Sequence, residues 1–140
     1  MFKIQPVRDR GLQAEIAASL GCAFVEGTYA YFAGELGGDN ETVTSLIGMC
    51  QFTFEPDMSV IKSLGCVTGA EGDEALLILV RTVMNSVYRA GIPYISVDEG
   101  VCGVDFIKSL GFRQTDGRWI IDLVEFFRSP CHYNKAQDGE

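Results

Sequence analysis

Two groups of residues in this 140-residue chain have the types and spacing that chemistry requires. One is the adjacent carboxylate pair Asp98-Glu99, which directly follows the apolar run Tyr94 to Val97. A carboxylate at the carboxyl end of a buried strand, within hydrogen-bond reach of a ligand, can serve as a general base. The same two residues also suit a plain turn leading to Gly100. The other group is Thr68-Gly69-Ala70-Glu71-Gly72-Asp73, turn-type residues between a β-branched stretch and an amphipathic one. A glycine loop running from a strand into a helix N-terminus is a general anion site, because free N–H groups and the helix dipole point at whatever sits there. An ordinary strand-to-helix turn also explains this loop, with Asp73 and Glu74 favoured by the dipole at roughly 0.3–1 kcal/mol each.

Other reactive side chains have simpler readings. Glu26 and Glu35 are weaker candidates for a base. Cys102 has no basic neighbour in sequence to lower its pKa, so a packed thiol is the reading, not a nucleophile. Tyr29, Tyr31 and Phe32 could line a cleft, although aromatics at strand spacing more often form cross-strand pairs. The five cysteines are scattered without a CxxC pair, the pattern of reduced thiols and not of a disulfide framework. Cys131-His132 is an adjacent pair with too few donors around it for a metal ligand set, so no metal site is expected.

The elements that must position these residues follow from periodicity. Phe2 to Val7 reads as a short strand and Arg8 to Leu20 as a helix, with Leu12, Ile16 and Leu20 at i, i+4 and i+8. Gly27 to Leu36 and Thr42 to Phe54 read as strands flanking Gly37-Gly38-Asp39-Asn40, residues that accept the positive φ of a hairpin turn. In the second of these strands Leu46, Gly48, Cys50, Phe52 and Phe54 face one way and Ile47, Met49, Gln51 and Thr53 the other. It is therefore predicted to be central and covered on both sides. Val60 to Val67 is a strand, and Glu74 to Ala90 a helix capped by Asp73, its apolar face formed by Leu76, Leu77, Val80, Val83, Met84 and Val87. Tyr94 to Val97 is a buried strand parallel to Val60 to Val67 through a right-handed crossover. Val104 to Leu110 forms a short helix closed by Gly111, and Phe112 to Thr115 and Trp119 to Phe127 pair around Asp116-Gly117. Residues 1–128 are expected to form one domain and 129–140 a peripheral tail.

Composition narrows the partners. A formal net charge of -8 disfavours nucleic acid and anionic membranes, which are held by clustered Lys and Arg. No apolar run has signal-peptide or membrane-spanning length, so a soluble cytoplasmic protein is expected.

The order β-α-β-β-β-α-β-α-β-β, the unit SLGCVTGAEGDEALLILVRTVMNSVYRAGI and the segment DFIKSLGF together resemble the GCN5-related N-acetyltransferase (GNAT) superfamily over nearly the whole chain. The resemblance implies an α/β (α+β) three-layer fold, a mixed central sheet flanked by helices, in which Val60 to Val67 and Tyr94 to Val97 splay apart around acetyl-CoA. It also implies that the backbone at Cys66 and Val67 holds the pantetheine, and that Gly69, Gly72, Asp73, Glu74 and Ala75 border the pyrophosphate. Of the family's R/Q-x-x-G-x-G/A loop, laid on Gly69 to Glu74, only Gly72 matches: the basic or amide first position is Gly69, the small last position is Glu74, and the loop carries Glu71, Asp73 and Glu74 where the family meets phosphates. The family's thiolate-protonating tyrosine is replaced by Ile107.

On this resemblance Asp98 and Glu99 are the candidates to deprotonate an acceptor amine, a small amine or other cation drawn by the acidic surface. A different reading fits the altered loop and Ile107: a GNAT-fold module without catalysis that serves as a binding or interaction domain. The apolar stretch WIIDLVEFF, read as a terminal strand, could pair two copies into a homodimer.

Overall fold

A computed structural model describes residues 2–39, 42–98 and 100–128. The elements are β1 (Phe2–Val7), α1 (Arg10–Ser19), β2 (Tyr29–Leu36), β3 (Val43–Phe52), β4 (Ser59–Cys66), α2 (Ala70–Arg89), β5 (Tyr94–Val97), α3 (Val104–Leu110), β6 (Arg113–Thr115), β7 (Arg118–Asp122) and α4 (Leu123–Arg128). The strands form one seven-stranded sheet in the order β1-β2-β3-β4-β5-β7-β6. Only β4 and β5 run parallel; every other pair is antiparallel. The predicted mixed sheet and βαβ crossover are both present.

Helices cover both faces. On one face Leu76, Leu79, Val80, Val83, Met84 and Val87 of α2 pack with Ile107 and Leu110 of α3, Leu123 of α4, and Cys50, Phe52, Ile61, Ile95 and Val97 of the sheet. On the other, Ile16 and Ala17 of α1 pack with Ala30, Phe32 and Met49. As predicted, β3 is central and covered on both sides, and its last six residues are buried.

The sheet corrects one part of the facing pattern. Ala33 pairs with Gly48 but Gly34 pairs with Leu46, so Ile47 is an extra residue in a β-bulge. The bulge reverses the alternation beyond it: Leu46 packs on the α1 side, and Ile47 turns to Ala33 and to Ala75 of α2. A strict period of two cannot foresee this. In α1 the buried residues are Gln13, Ile16 and Ala17, while Leu12 is exposed, because Gln13 finds internal hydrogen bonds.

Two elements near the ends of the predicted scheme also differ. Helix α2 starts at Ala70, four residues before the predicted start, and its cap is Gly69 instead of Asp73. The last apolar stretch is no continuous strand, since β7 stops at Asp122 and α4 follows. The Asp122 Oδ1 accepts the Glu125 N–H at 3.1 Å and the Leu123 N–H donates to the Pro93 carbonyl at 2.8 Å, which turns the chain into a helix. That turn buries Leu123 and stacks Phe127 on Tyr88 with ring centroids 4.7 Å apart. With β5 on one side of β7 and β6 on the other, β7 has no free edge through which two copies could pair.

Candidate functional site

The parallel pair β4 and β5 is short where it is hydrogen-bonded. Its rungs are Ser59 with Ile95, Val60 with Ser96 and Ile61 with Val97, and the Asp98 N–H makes a last bond to the Ile61 carbonyl at 3.3 Å. Strand β4 then continues to Cys66 beside β3 with no partner strand on its other side among the described residues. Val67 donates its N–H to Ile47 of β3, at 2.9 Å, so strand alternation turns the N–H and C=O of Leu64 and Cys66 away from β3 and into the gap. An unpaired row of backbone groups beside a gap can bind an extended ligand bearing amides.

The carboxyl end of β4 leads in three residues, Val67 to Gly69, to the N-terminus of α2. Gly69 has φ 105° and ψ 179°, a conformation reserved for glycine, and with no side chain it leaves the first turn of α2 without a side-chain cap among the described residues. The Asp73 N–H returns to the Gly69 carbonyl at 3.2 Å, and the N–H groups before it point out of the helix. Gly72 is required by close approach. A Cβ there would overlap the Val67 carbonyl and come within 3.2 Å of the Cys66 sulfur, so no larger residue lets α2 start so near β4.

The residues predicted at this end are therefore brought together, with distinct placements. Cys66 lies under the first turn of α2, where burial and then the nearby Asp73 carboxylate push its thiol pKa up, which keeps it a thiol at neutral pH. The Val67 N–H is already used by β3. Ala75 is buried against Ala33 and Ile47 and offers no side-chain surface to a ligand. Asp73 and Glu74 are exposed. Asp73 and Glu74 thus face solvent, and the groups left to meet an anion are backbone N–H groups.

Asp98 stands at the inner end of the gap, immediately after the last rung. Its Oδ2 lies 3.2 Å from the Nζ of Lys62, the residue that follows the last rung on β4. Both side chains remain accessible, at 37% for Lys62 and 43% for Asp98. Sequence reading missed Lys62, because its placement depends on β5 ending at that register. Glu99 lies outside the described residues. Ile107 is buried in the main core and has no proton to give, while Cys102 is half-buried with its thiol pKa pushed up by burial.

On the opposite face the loop of residues 20–28 meets β4 through Leu20 and Cys22. Cys22 sits on Gly65, where a Cβ would come within 2.8 Å of the cysteine sulfur. A buried amide network fixes this loop: Gln13 Nε2 donates to Gln51 Oε1 at 2.8 Å and to Thr28 Oγ1 at 3.0 Å, the Val25 N–H donates to Gln51 Oε1, and Gln51 Nε2 donates to the Ala23 carbonyl. The gap thus lies between α2 on one face and an anchored loop on the other. Glu26, on that loop, is exposed. Among the described residues no three His, Cys, Asp or Glu side chains are grouped to hold a metal ion, and no helix is long and apolar enough to cross a membrane.

No protein-family model matches the sequence, and no curated protein matches it. Solved structures do match. The spermidine/spermine N-acetyltransferase of Vibrio cholerae superposes with a TM-score of 0.65 at 9% identity, over 93% of this chain and 99% of that one. A chain of the NatC complex, solved with Gag peptide and CoA, gives 0.65 at 15% identity over 86% and 98%. The ribosomal-protein-S18-alanine N-acetyltransferase of Escherichia coli gives 0.57 at 13% identity over 86% and 89%. At these identities the likeness is one of fold.

Proposed function

We propose that this chain, whose fold is that of the GCN5-related N-acetyltransferases, is an N-acyltransferase that takes an acetyl group from acetyl-CoA to an amine. The observation that carries this reading is the continuity of three features: the gap-facing backbone groups of Leu64 and Cys66, the glycine turn, and the uncapped N-terminus of α2. An amide-bearing arm that ends in a pyrophosphate needs that succession, and CoA has it. Two of the structural neighbours were solved with CoA. The acidic composition suits a small amine or other cationic acceptor in the cytoplasm.

Bound acetyl-CoA would supply an activated thioester, whose acyl carbon bonds to the acceptor nitrogen as the C–S bond breaks and the thiolate takes up a proton. The β4 backbone at Leu64 and Cys66 orients the arm, and Gly69 with the first turn of α2 holds the phosphates. Asp98, with Glu99 beside it in sequence, takes a proton from the acceptor ammonium so that the nitrogen lone pair is free. Ile107 leaves protonation of the leaving sulfur to solvent, a lesser demand for a thiolate than for an alkoxide.

A second reading, a GNAT-fold module that binds without catalysis, is favoured by two observations: the buried Ile107, and the Lys62 ammonium already engaged with Asp98. Calorimetric titration with acetyl-CoA and with desulfo-CoA at moderate salt tests the first reading, followed by an amine screen on the wild type and on Asp98→Asn. Micromolar binding and amine acetylation that collapses in Asp98→Asn are expected. Absence of heat at millimolar ligand rejects the transferase; binding without turnover leaves the module.

A further inference from the structure

We propose that Lys62 determines acceptor specificity and that the preferred acceptor is a zwitterion, an amine carrying a carboxylate close to its nitrogen, as in a free amino acid. The inference rests on the transferase reading for the place of the acceptor, and adds its chemical class. Lys62 and Asp98 are the first residues past the last rung of the parallel pair, one on β4 and one just after the end of β5, and their charged ends meet at the inner end of the gap. Among the described residues no other ion-pair partner is seen for either.

An acceptor that reaches Asp98 must displace the Lys62 ammonium. A simple monoamine or polyamine replaces Lys62 on the carboxylate and leaves the lysine charge without its partner. A zwitterion replaces both halves at once, its ammonium on Asp98 and its carboxylate on Lys62, and the local charge stays balanced. Because both side chains are more than one third accessible, a ligand can reach them, and the pair is held only by its single 3.2 Å contact. Like charge on the rest of the surface then acts against acceptors with additional carboxylates, which favours neutral or basic amino acids over acidic ones.

The experiment compares each of a panel of free L-amino acids with its carboxamide and with its decarboxylated amine. Binding to the CoA-loaded chain is followed by NMR, and acetylation by release of free thiol, for the wild type and Lys62→Met. At least one amino acid is expected to bind about tenfold more tightly than its carboxamide and amine, and Lys62→Met is expected to bring that ratio to about one. Lys62→Arg, which keeps the charge, should retain the preference. The inference is overturned by a wild type that binds no amino acid better than its carboxamide, or by a preference that Lys62→Met does not change. The binding arm separates the two readings. Zwitterion binding that depends on Lys62 without any acetylation upholds the subsite and rejects the transferase, and acetylation of monoamines with no Lys62-dependent preference does the reverse. Thermal melting of both variants guards against loss of fold.

Discussion

The pH response of this protein is written in individual cysteines. Cys50 is fully buried, and its thiol pKa is pushed far above the usual 9.0, first by burial and then by the charge that Cys102 acquires on ionising. Cys66 and Cys102 move in the same direction. A pKa raised in the folded state means that above pH 9 the unfolded chain loses these protons while the folded chain keeps them. The stability they contribute is therefore whole below about pH 9 and is lost as pH rises further. Urea unfolding should give a constant free energy between pH 7 and 8 and a decline above 9. For Cys50→Ala the decline should be shallower by about 1.4 kcal/mol per pH unit. Equal slopes for the variant and the wild type would refute the assignment. Gly72 shows a residue effect that no propensity scale contains: in isolation it reads as a turn former, but here it is a helical residue whose missing Cβ makes room for the Val67 carbonyl.

At the scale of elements, what faces β4 opposite α2 is a loop, and the loop is held by amides. Gln51 is completely buried and uses both ends of its side chain, accepting from Gln13 and Val25 and donating to Ala23. Gln51→Leu keeps the volume and strands these groups, at a cost of about 2–4 kcal/mol from the penalty for buried unpaired amides. Hydrogen exchange at Val25 should quicken in that variant while exchange in α2 follows only the global loss. Retained protection at Val25 would mean that contacts such as Cys22 on Gly65 hold the loop by themselves. The stretch from Leu123 shows a different lesson. Its apolar residues fit a strand or a helix, and the Asp122 cap and the docking of Phe126 and Phe127 near α2 decide for the helix.

Over the whole molecule the net charge of -8 and the exposed Asp73 and Glu74 oppose the anionic ligand proposed for the backbone at the same place. Replacing both by Asn and Gln should tighten CoA binding about three- to tenfold at low salt, and the gain should shrink above about 0.5 M salt, where the Debye length falls toward roughly 3 Å. A gain independent of salt would point to a shape effect. How much of this was legible beforehand follows from the range of the forces involved. The sequence alone determined the sheet-forming and helix-forming segments up to Asp122, the parallel crossover from β4 to β5, the central position of β3, and the glycine-bearing turn near the end of β4, because these depend on local periodicity and on residues such as Gly69 and Gly111. Tertiary structure alone decided the bulge at Ile47, the burial of Gln13, the early start of α2, the helix after Asp122 and the meeting of Lys62 with Asp98. Each of these depends on a contact between residues far apart in the chain or on a register between strands. Periodicity along one strand cannot register where its neighbour ends.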